Sequence, residues 1–305
     1  MRFKRSLLLG AVGAVALAMA LPGVAAFASV RASSAKPAII IGGANFDEST
    51  IVANIWSDVL TKAGYKVTLE PSLGARAILV SAIEKGQINL EPDYAASLLD
   101  YLNNGATPAA GNNIATAVPA DQKALASYGV TLLPASKALD TNVFAVTKAT
   151  AEKDHLTTIS SLKPYAKNFV LGGPPECPAN AGCELGLKKV YGLNFKGFKG
   201  LDSDGPLSVA ALKNGEVQVV ELYSTNAAVA ADNFVELTDN KHLEGADYIV
   251  PVIRKSVDTT GVAKALDAID AKLTTEAITK LNLDVSANQE QPAAVAQSWV
   301  KSVGG

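Results

Sequence analysis

Ala82-Ile-Glu-Lys-Gly-Gln-Ile-Asn-Leu-Glu-Pro-Asp-Tyr-Ala-Ala-Ser97 reads as a helix, a short buried strand, and then Tyr94 and Ser97 carried where that strand ends. In an open α/β sheet, ligands are held at that end. A second stretch has the same layout: Ala210-Ala-Leu-Lys-Asn-Gly-Glu-Val-Gln-Val-Val-Glu-Leu-Tyr-Ser-Thr-Asn226 runs from a helix through Gly215 into the apolar strand 217–222, then delivers Tyr223, Ser224, Thr225 and Asn226. Two such strand ends, far apart in the chain, point to two lobes facing one ligand.

Working outward, strand 38–41 runs into Gly42-Gly-Ala-Asn-Phe-Asp47, and Ile51, Val52, Ile55, Trp56, Val59 and Leu60 then recur at helical spacing. Asp47 is the expected N-cap of that helix and Gly64 its C-cap. The loop carrying Asn45, Phe46 and Glu48 therefore lies between a strand's end and a helix N-terminus, where polar groups are readily held. Strand 67–69, helix 75–85 and strand 88–90 follow, an alternation that implies a parallel sheet covered on both faces. A Gly/Pro/Asn-rich stretch, 103–113, precedes a helix over 121–128 and a strand over 130–133.

Near Lys137 to Thr141 the chain crosses into a second lobe with strands at 143–146, 169–171, 217–222 and 234–237 and helices at 159–165, 184–191 and 207–214. It returns at Tyr248-Ile-Val-Pro-Val-Ile-Arg254, and helices over 260–273, 275–281 and 292–303 cover the first lobe. The expected organisation is a signal peptide at 1–28, lobe one from 37–138 and 249–305, and lobe two from 139–248. Two crossings make a hinge, and a hinge makes a cleft that closes on a ligand.

Arg2, Lys4 and Arg5, an apolar run from Leu7 to Leu21, Pro22 and Ala26-Phe-Ala28 have the form of a secretory signal with an A-x-A cleavage site. The run is shorter than the roughly 20 residues of a spanning helix. With no cysteine near the cleavage site for a lipid, the mature chain is expected free in the periplasm or the medium. Cleavage would leave 24 Lys+Arg of the original 27 against 29 acids, a net charge of −5. That balance argues against nucleic acid, which calls for a clustered basic face. Cys177 and Cys183, the only cysteines, lie in a Gly/Pro-rich loop, and in an exported chain such a pair is most simply a disulfide. A metal site would need further ligands, and His155 and His242 are the only histidines.

Gly86-Gln-Ile-Asn-Leu-Glu-Pro-Asp-Tyr94, Gly172-Gly-Pro-Pro-Glu-Cys177, Tyr191-Gly-Leu-Asn-Phe195, Tyr223-Ser-Thr-Asn226 and Leu237-Thr-Asp-Asn-Lys-His242 together resemble the osmoprotectant (glycine betaine, carnitine and choline) substrate-binding proteins of ABC importers. The resemblance runs from about Ile39 to Val303. It implies the type II two-lobed periplasmic-binding-protein fold, a monomer without cofactor, and transfer of solute to a permease and ATPase complex. It also implies a cage of aromatic faces around a quaternary ammonium, held by cation–π attraction. Tyr94 matches a cage tyrosine and Tyr223 the lobe-two aromatic, with Ser97, Asn142, Thr225, Asn226, Asn45, Phe46 and Glu48 as further ligand-binding candidates.

Some positions depart from the family pattern. Asp140-Thr-Asn142-Val-Phe144 stands where Asn-x-Thr-Tyr is common, Ser208-Val209 where a tyrosine often precedes the helix turn, and Asn180 in place of a basic residue. These departures weaken the case for a betaine zwitterion and favour a choline-like or less charged solute. Arg76 and Arg254 could each meet a carboxylate bidentately, although they read first as solvated arginines or interlobe ion pairs. Other readings are a different small polar or aromatic solute, or a secreted enzyme on the same scaffold, since fold does not fix function. The sequence holds no G-x-S-x-G, H-E-x-x-H or P-loop, and Gly172-Gly173 lacks dinucleotide-binding spacing.

Overall fold

The computed structural model describes residues 36–104 and 113–304. The signal-peptide reading and most of the Gly/Pro/Asn-rich stretch fall outside the described residues. The first half runs β1 (Ile39–Ala44), α1 (Asp47–Lys62), β2 (Val67–Gly74), α2 (Arg76–Glu84), β3 (Leu90–Tyr94), α3 (Ala95–Leu102), α4 (Ile114–Leu125) and β4 (Val130–Leu132). The apolar stripe of α1 is buried against the three C-terminal helices α9 (Thr260–Asp270), α10 (Thr275–Ser286) and α11 (Pro292–Ser302). Inside this packing Trp56 donates its indole N–H to Asp270 Oδ1 at 2.8 Å, which supplies the polar partner a buried indole needs.

The N-cap of α1 is Phe46, not Asp47. Phe46 is extended and makes no side-chain cap, while Asp47 and Glu48 occupy the first turn, where negative charge complements the helix dipole. Gly64 lies one place past the cap at φ +81°, the left-handed conformation for which glycine carries no steric penalty.

The second half supplies β5 (Asn142–Thr147), α5 (Lys148–Asp154), β6 (Val170–Gly173), α6 (Glu184–Gly186) continued by a π turn over Leu187–Tyr191, β7 (Gly197–Gly200), α7 (Pro206–Lys213), β8 (Val219–Tyr223), α8 (Ala227–Ala231), β9 (Phe234–Leu237) and β10 (Ile249–Arg254). Two five-stranded sheets result, in the orders β2-β1-β3-β10-β4 and β7-β6-β8-β5-β9. Neither is purely parallel. β10 lies antiparallel to β3 and β4, and β5 antiparallel to β8 and β9. Each of those strands enters its sheet directly from the other sheet, so no crossover helix turns it round.

Several further elements differ from the sequence reading. The segment expected as a helix over 159–165 is a short 3₁₀ turn, Ile159–Leu162. α3, α5, α8 and β7 have no counterpart in the sequence reading; β7 is four residues with glycine at both ends, too little pattern to register as a strand. β3 runs to Tyr94 rather than stopping at Leu90, although Pro92 interrupts the apolar run. Its partner across the ladder is another proline, Pro251, and two facing prolines can occupy the pair that exchanges no hydrogen bonds.

The two passes between the sheets run side by side. Leu139 bridges Tyr248 in antiparallel fashion, Asp140 N donates to Asp247 O at 2.9 Å, and Ile249 N donates to Ala138 O at 3.1 Å. Thr275 Oγ1 accepts from Leu139 N at 2.9 Å, which ties this ribbon to the start of α10.

Candidate functional site

β3 ends in Tyr94 and β8 in Tyr223, and the two strand ends meet the β1–α1 loop around a small chamber of about 90 Å3. Strand periodicity sets its walls. On β8, Glu221 and Tyr223 are two apart and share a face; on β3, Asp93 and Tyr94 stand at the turn into α3. Three rings line the chamber, with Phe46 in contact with both tyrosines: its centroid is 6.1 Å from that of Tyr94 and 5.4 Å from that of Tyr223, the second pair edge-to-face.

The polar part of the wall is acidic. Asp93, Asp140, Glu176, Glu221 and Asp247 all border the chamber, against one base, Arg76. Arg76 Nε is bound to Asp93 Oδ1 at 2.9 Å. Burial disfavours the guanidinium charge, but Asp93 and Asp247 outweigh it and raise its pKa.

Several acids are held away from their ordinary range. Burial pushes Asp247 up to about 6, opposed by the hydrogen bonds it accepts from Ser97 N (2.8 Å) and Ser97 Oγ (2.7 Å) and by Arg76. Burial, then Glu176 and Asp204, push Glu221 up to about 8. Asp140 is driven well up by burial and by Glu48 and Asp204, despite the bond it accepts from Thr225 N at 3.1 Å.

Cys177 and Cys183 are joined in a disulfide. Glu221 Oε2 lies 3.0 Å from Cys183 Sγ. A bonded sulfur carries no proton, so the group able to donate in that contact is the Glu221 carboxyl, protonated when pH is below its raised pKa. These three residues are the one group of His, Cys, Asp and Glu among the described residues close enough to share an ion, but a disulfide offers no thiolate to a metal. The Gly172-Gly173 pair serves close packing: a side chain at Gly172 would meet Leu201 Cδ1 at 2.7 Å, and one at Gly173 would meet Glu221 Oε2 at 3.1 Å.

The candidate residues separate into groups. Asn45, Phe46, Tyr94, Ser97, Asn142 and Tyr223 border the chamber. Glu48 does not. It is 3% exposed and accepts from Tyr94 Oη at 2.7 Å, Thr225 Oγ1 at 2.6 Å and Asn282 Nδ2 at 2.7 Å. Thr225 is committed to the same network and to Asn282, which donates to Thr225 Oγ1 at 3.0 Å. Asn226 holds Asp204 through Nδ2, at 2.9 Å to the carbonyl and 2.7 Å to Oδ1, and accepts from Ala228 N at 2.8 Å, as a turn-capping asparagine does. Arg254 is remote from the chamber and donates Nη1 to the carbonyls of Ile83 (2.6 Å) and Glu84 (3.1 Å) at the end of α2.

Not singled out from the sequence were Asp93, Asp140, Glu221 and Asp247. For Asp93 and Glu221 the available signal was an acidic residue next to, or two before, each candidate tyrosine in a buried strand; Asp140 and Asp247 carry no such signal.

Two mixed sheets joined by two adjacent passes, with an aromatic and acidic chamber at the strand ends between them, define a two-lobed solute-binding protein. The chain belongs to the substrate binding domain family of ABC-type glycine betaine transport systems, which it matches over residues 37–302. It is a family of substrate-binding proteins, not of enzymes. The chain is 24% identical over 289 residues to the glycine betaine-binding protein YehZ of Escherichia coli (strain K12), covering 90% of this chain and 93% of that one. It is likewise 24% identical to the carnitine transport binding protein OpuCC of Listeria monocytogenes serotype 1/2a (strain 10403S), covering 88% of this chain and 87% of the relative. A solved structure described as a glycine betaine/carnitine/choline ABC transporter has the same fold, with a TM-score of 0.69 at 24% identity over 87% of this chain and 98% of that one.

Proposed function

We propose that this chain captures a quaternary ammonium solute between its lobes, choline-like rather than betaine-like, and delivers it to an ABC permease and its ATPase. The observation that carries the reading is the placement of Phe46 against both Tyr94 and Tyr223 in a chamber with five acids and one arginine. Aromatic faces attract a cation by about 0.5–2 kcal/mol per good contact, more when water is excluded. A solute carboxylate, as in glycine betaine, is held best by a base, and the one base bordering the chamber, Arg76, has its Nε bound to Asp93 and stands against five acids. Asn180 borders the same chamber and turns its Oδ1 to Gly182 N at 2.8 Å, which leaves no positive charge at that position.

Asn45, Ser97 and Asn142 supply polar contacts around the head group. Glu48 and Thr225 act from outside the chamber, through the orientation of Tyr94 and the approach of the lobes. The lobes comprise 37–138 with 249–305, and 139–248; the mature chain works as a monomer outside the cytoplasm after cleavage at residue 28.

Calorimetric titration of the mature chain with choline, tetramethylammonium, carnitine and glycine betaine tests the reading. Choline is expected to bind at least tenfold tighter than glycine betaine. Tighter binding of glycine betaine removes the choline preference, and no binding of any of the four removes the quaternary ammonium reading.

A further inference from the structure

A second chamber of about 430 Å3 adjoins the first, and Arg76, Ser97, Asn142, Glu176 and Asn180 line both. Its own contribution is acidic: Asp100, from α3, and Glu244, from the segment leading into the return pass, face it together with Glu176. Asp100 is 8% exposed, yet its Oδ1 has no hydrogen-bond partner. Glu244 Oε1 is also buried without a partner, while Oε2 accepts from Asn142 Nδ2 at 3.3 Å. Buried carboxylate oxygens are normally satisfied, and each one left bare costs free energy that a donor entering the chamber recovers.

The cations near Asp100 do not serve it. Arg76 is bound to Asp93, and Lys189, which lies close enough to lower the Asp100 pKa, is exposed and makes no salt bridge to it. Asp100 comes from the first lobe and Glu244 from the second, so a group between them would be gripped by both.

We propose that this outer chamber is a second subsite, for a hydrogen-bond-donating cationic group such as a primary ammonium, so that the cleft takes a solute with a quaternary ammonium at one end and an amine at the other. The proposal rests on the quaternary ammonium reading of the inner chamber. An inner aromatic chamber holds a head group that cannot donate hydrogen bonds, and an outer chamber of bare acceptors holds one that can. Burial, with Glu221, Asp247 and Asp239 beside it, keeps the Glu244 carboxyl protonated to higher pH than usual, against the hydrogen bond from Asn142. Entry of a second cation should therefore release a proton.

The test compares two probes that differ only in the tail, n-butyltrimethylammonium and (4-aminobutyl)trimethylammonium, with choline as reference. Each is titrated calorimetrically into the wild-type mature chain and the Asp100→Asn/Glu244→Gln double variant. In the wild type the amine probe is expected to bind at least tenfold tighter than its butyl analogue, with proton release seen as a heat that depends on the buffer. In the double variant the advantage should shrink to less than threefold.

Equal affinities for the two probes in the wild type, or an advantage that survives the double substitution, overturns the second subsite while leaving the inner chamber intact. If choline and both probes all fail to bind, the inner-chamber reading falls and takes this proposal with it. Should the double variant not fold, as seen in its ligand-free melt, the wild-type pair decides alone.

Discussion

Thr225→Val preserves the shape of a fully buried side chain and removes the hydroxyl that reaches Glu48 Oε2 at 2.6 Å. A hydrogen bond to a charged group contributes about 1.5–3 kcal/mol. Glu48 belongs to α1, beside the first sheet, and Thr225 follows β8 of the second, so this bond forms only while the lobes are together. The loss therefore falls on the closed form, and its ratio to the open form drops about tenfold to a hundredfold. A solute held by both lobes binds more weakly by up to that factor, although Thr225 never touches it.

Calorimetry with choline, small-angle scattering of the ligand-free chain and urea unfolding measure the three consequences. Expected are a Kd at least tenfold weaker, a larger ligand-free radius of gyration, and an almost unaltered unfolding midpoint. Asn282→Ala, which removes the donor that Thr225 Oγ1 accepts from across the same gap at 3.0 Å, should act in the same direction. An unchanged Kd with a lowered unfolding midpoint would refute the reasoning and make the contact a permanent part of the core. A loss of affinity in Thr225→Val but not in Asn282→Ala would instead return Thr225 to direct solute contact.

Tyr223→Ala should weaken choline binding at least tenfold, about 1.4 kcal/mol, while the ligand-free melting temperature barely moves; a stable variant with unaltered affinity would remove Tyr223 from the site. Asp121 is fully buried with neither oxygen partnered, and burial, with Asp93 and Asp247, pushes its carboxyl from 3.8 up to about 8 against the pull of Arg76. Its folded form thus holds a proton that the unfolded chain gives up, so its contribution to stability is fullest below pH 4 and is lost as pH rises toward 8, by at most about 1.4 kcal/mol per pH unit. Asp121→Asn should gain on the wild type steadily between pH 5 and 8 in urea unfolding, and a pH-independent difference would contradict that account. Replacing Cys177 and Cys183 together by serine should lower stability by about 2 kcal/mol, the closure entropy of so short a loop. Two alkylated thiols in unreduced periplasmic protein, detected by mass spectrometry, would show that the bond is absent from the native chain.

The residues of α1 show how far sequence alone carries. Ile51, Val52, Ile55, Trp56, Val59 and Leu60 recur at helical spacing, and all are buried. Such periodicity is a local property, since the turn angle of a helix decides which side chains share a face. The same locality put Tyr94 and Tyr223 at the ends of buried strands. It missed the extent of β3, which runs over Leu90–Tyr94 rather than 88–90, because the place of Pro92 in the ladder depends on Pro251, a residue that arrives only when the chain returns from the second sheet.

Glu48, Thr225 and Asn282 mark the boundary most clearly. In the sequence Glu48 is an acid in the first turn of a helix, Thr225 sits beside a turn, and Asn282 is one polar residue of a late helix; nothing near any of them signals the other two. Folding places them within hydrogen-bonding distance and buries them, so Glu48, which reads from the sequence as a ligand-binding candidate, becomes the acceptor for three donors outside the chamber. The acidity of the chamber has the same origin. Asp93, Asp140, Glu176, Glu221 and Asp247 come from five separate segments, each unremarkable in its own context. Residue identity and periodicity determined the helices, the strand ends and their tyrosines, because those follow from neighbours along the chain. The charge around the chamber, and the hydrogen bonds that join Glu48, Thr225 and Asn282, were decided only by tertiary structure, because both depend on residues that the chain keeps far apart until it folds.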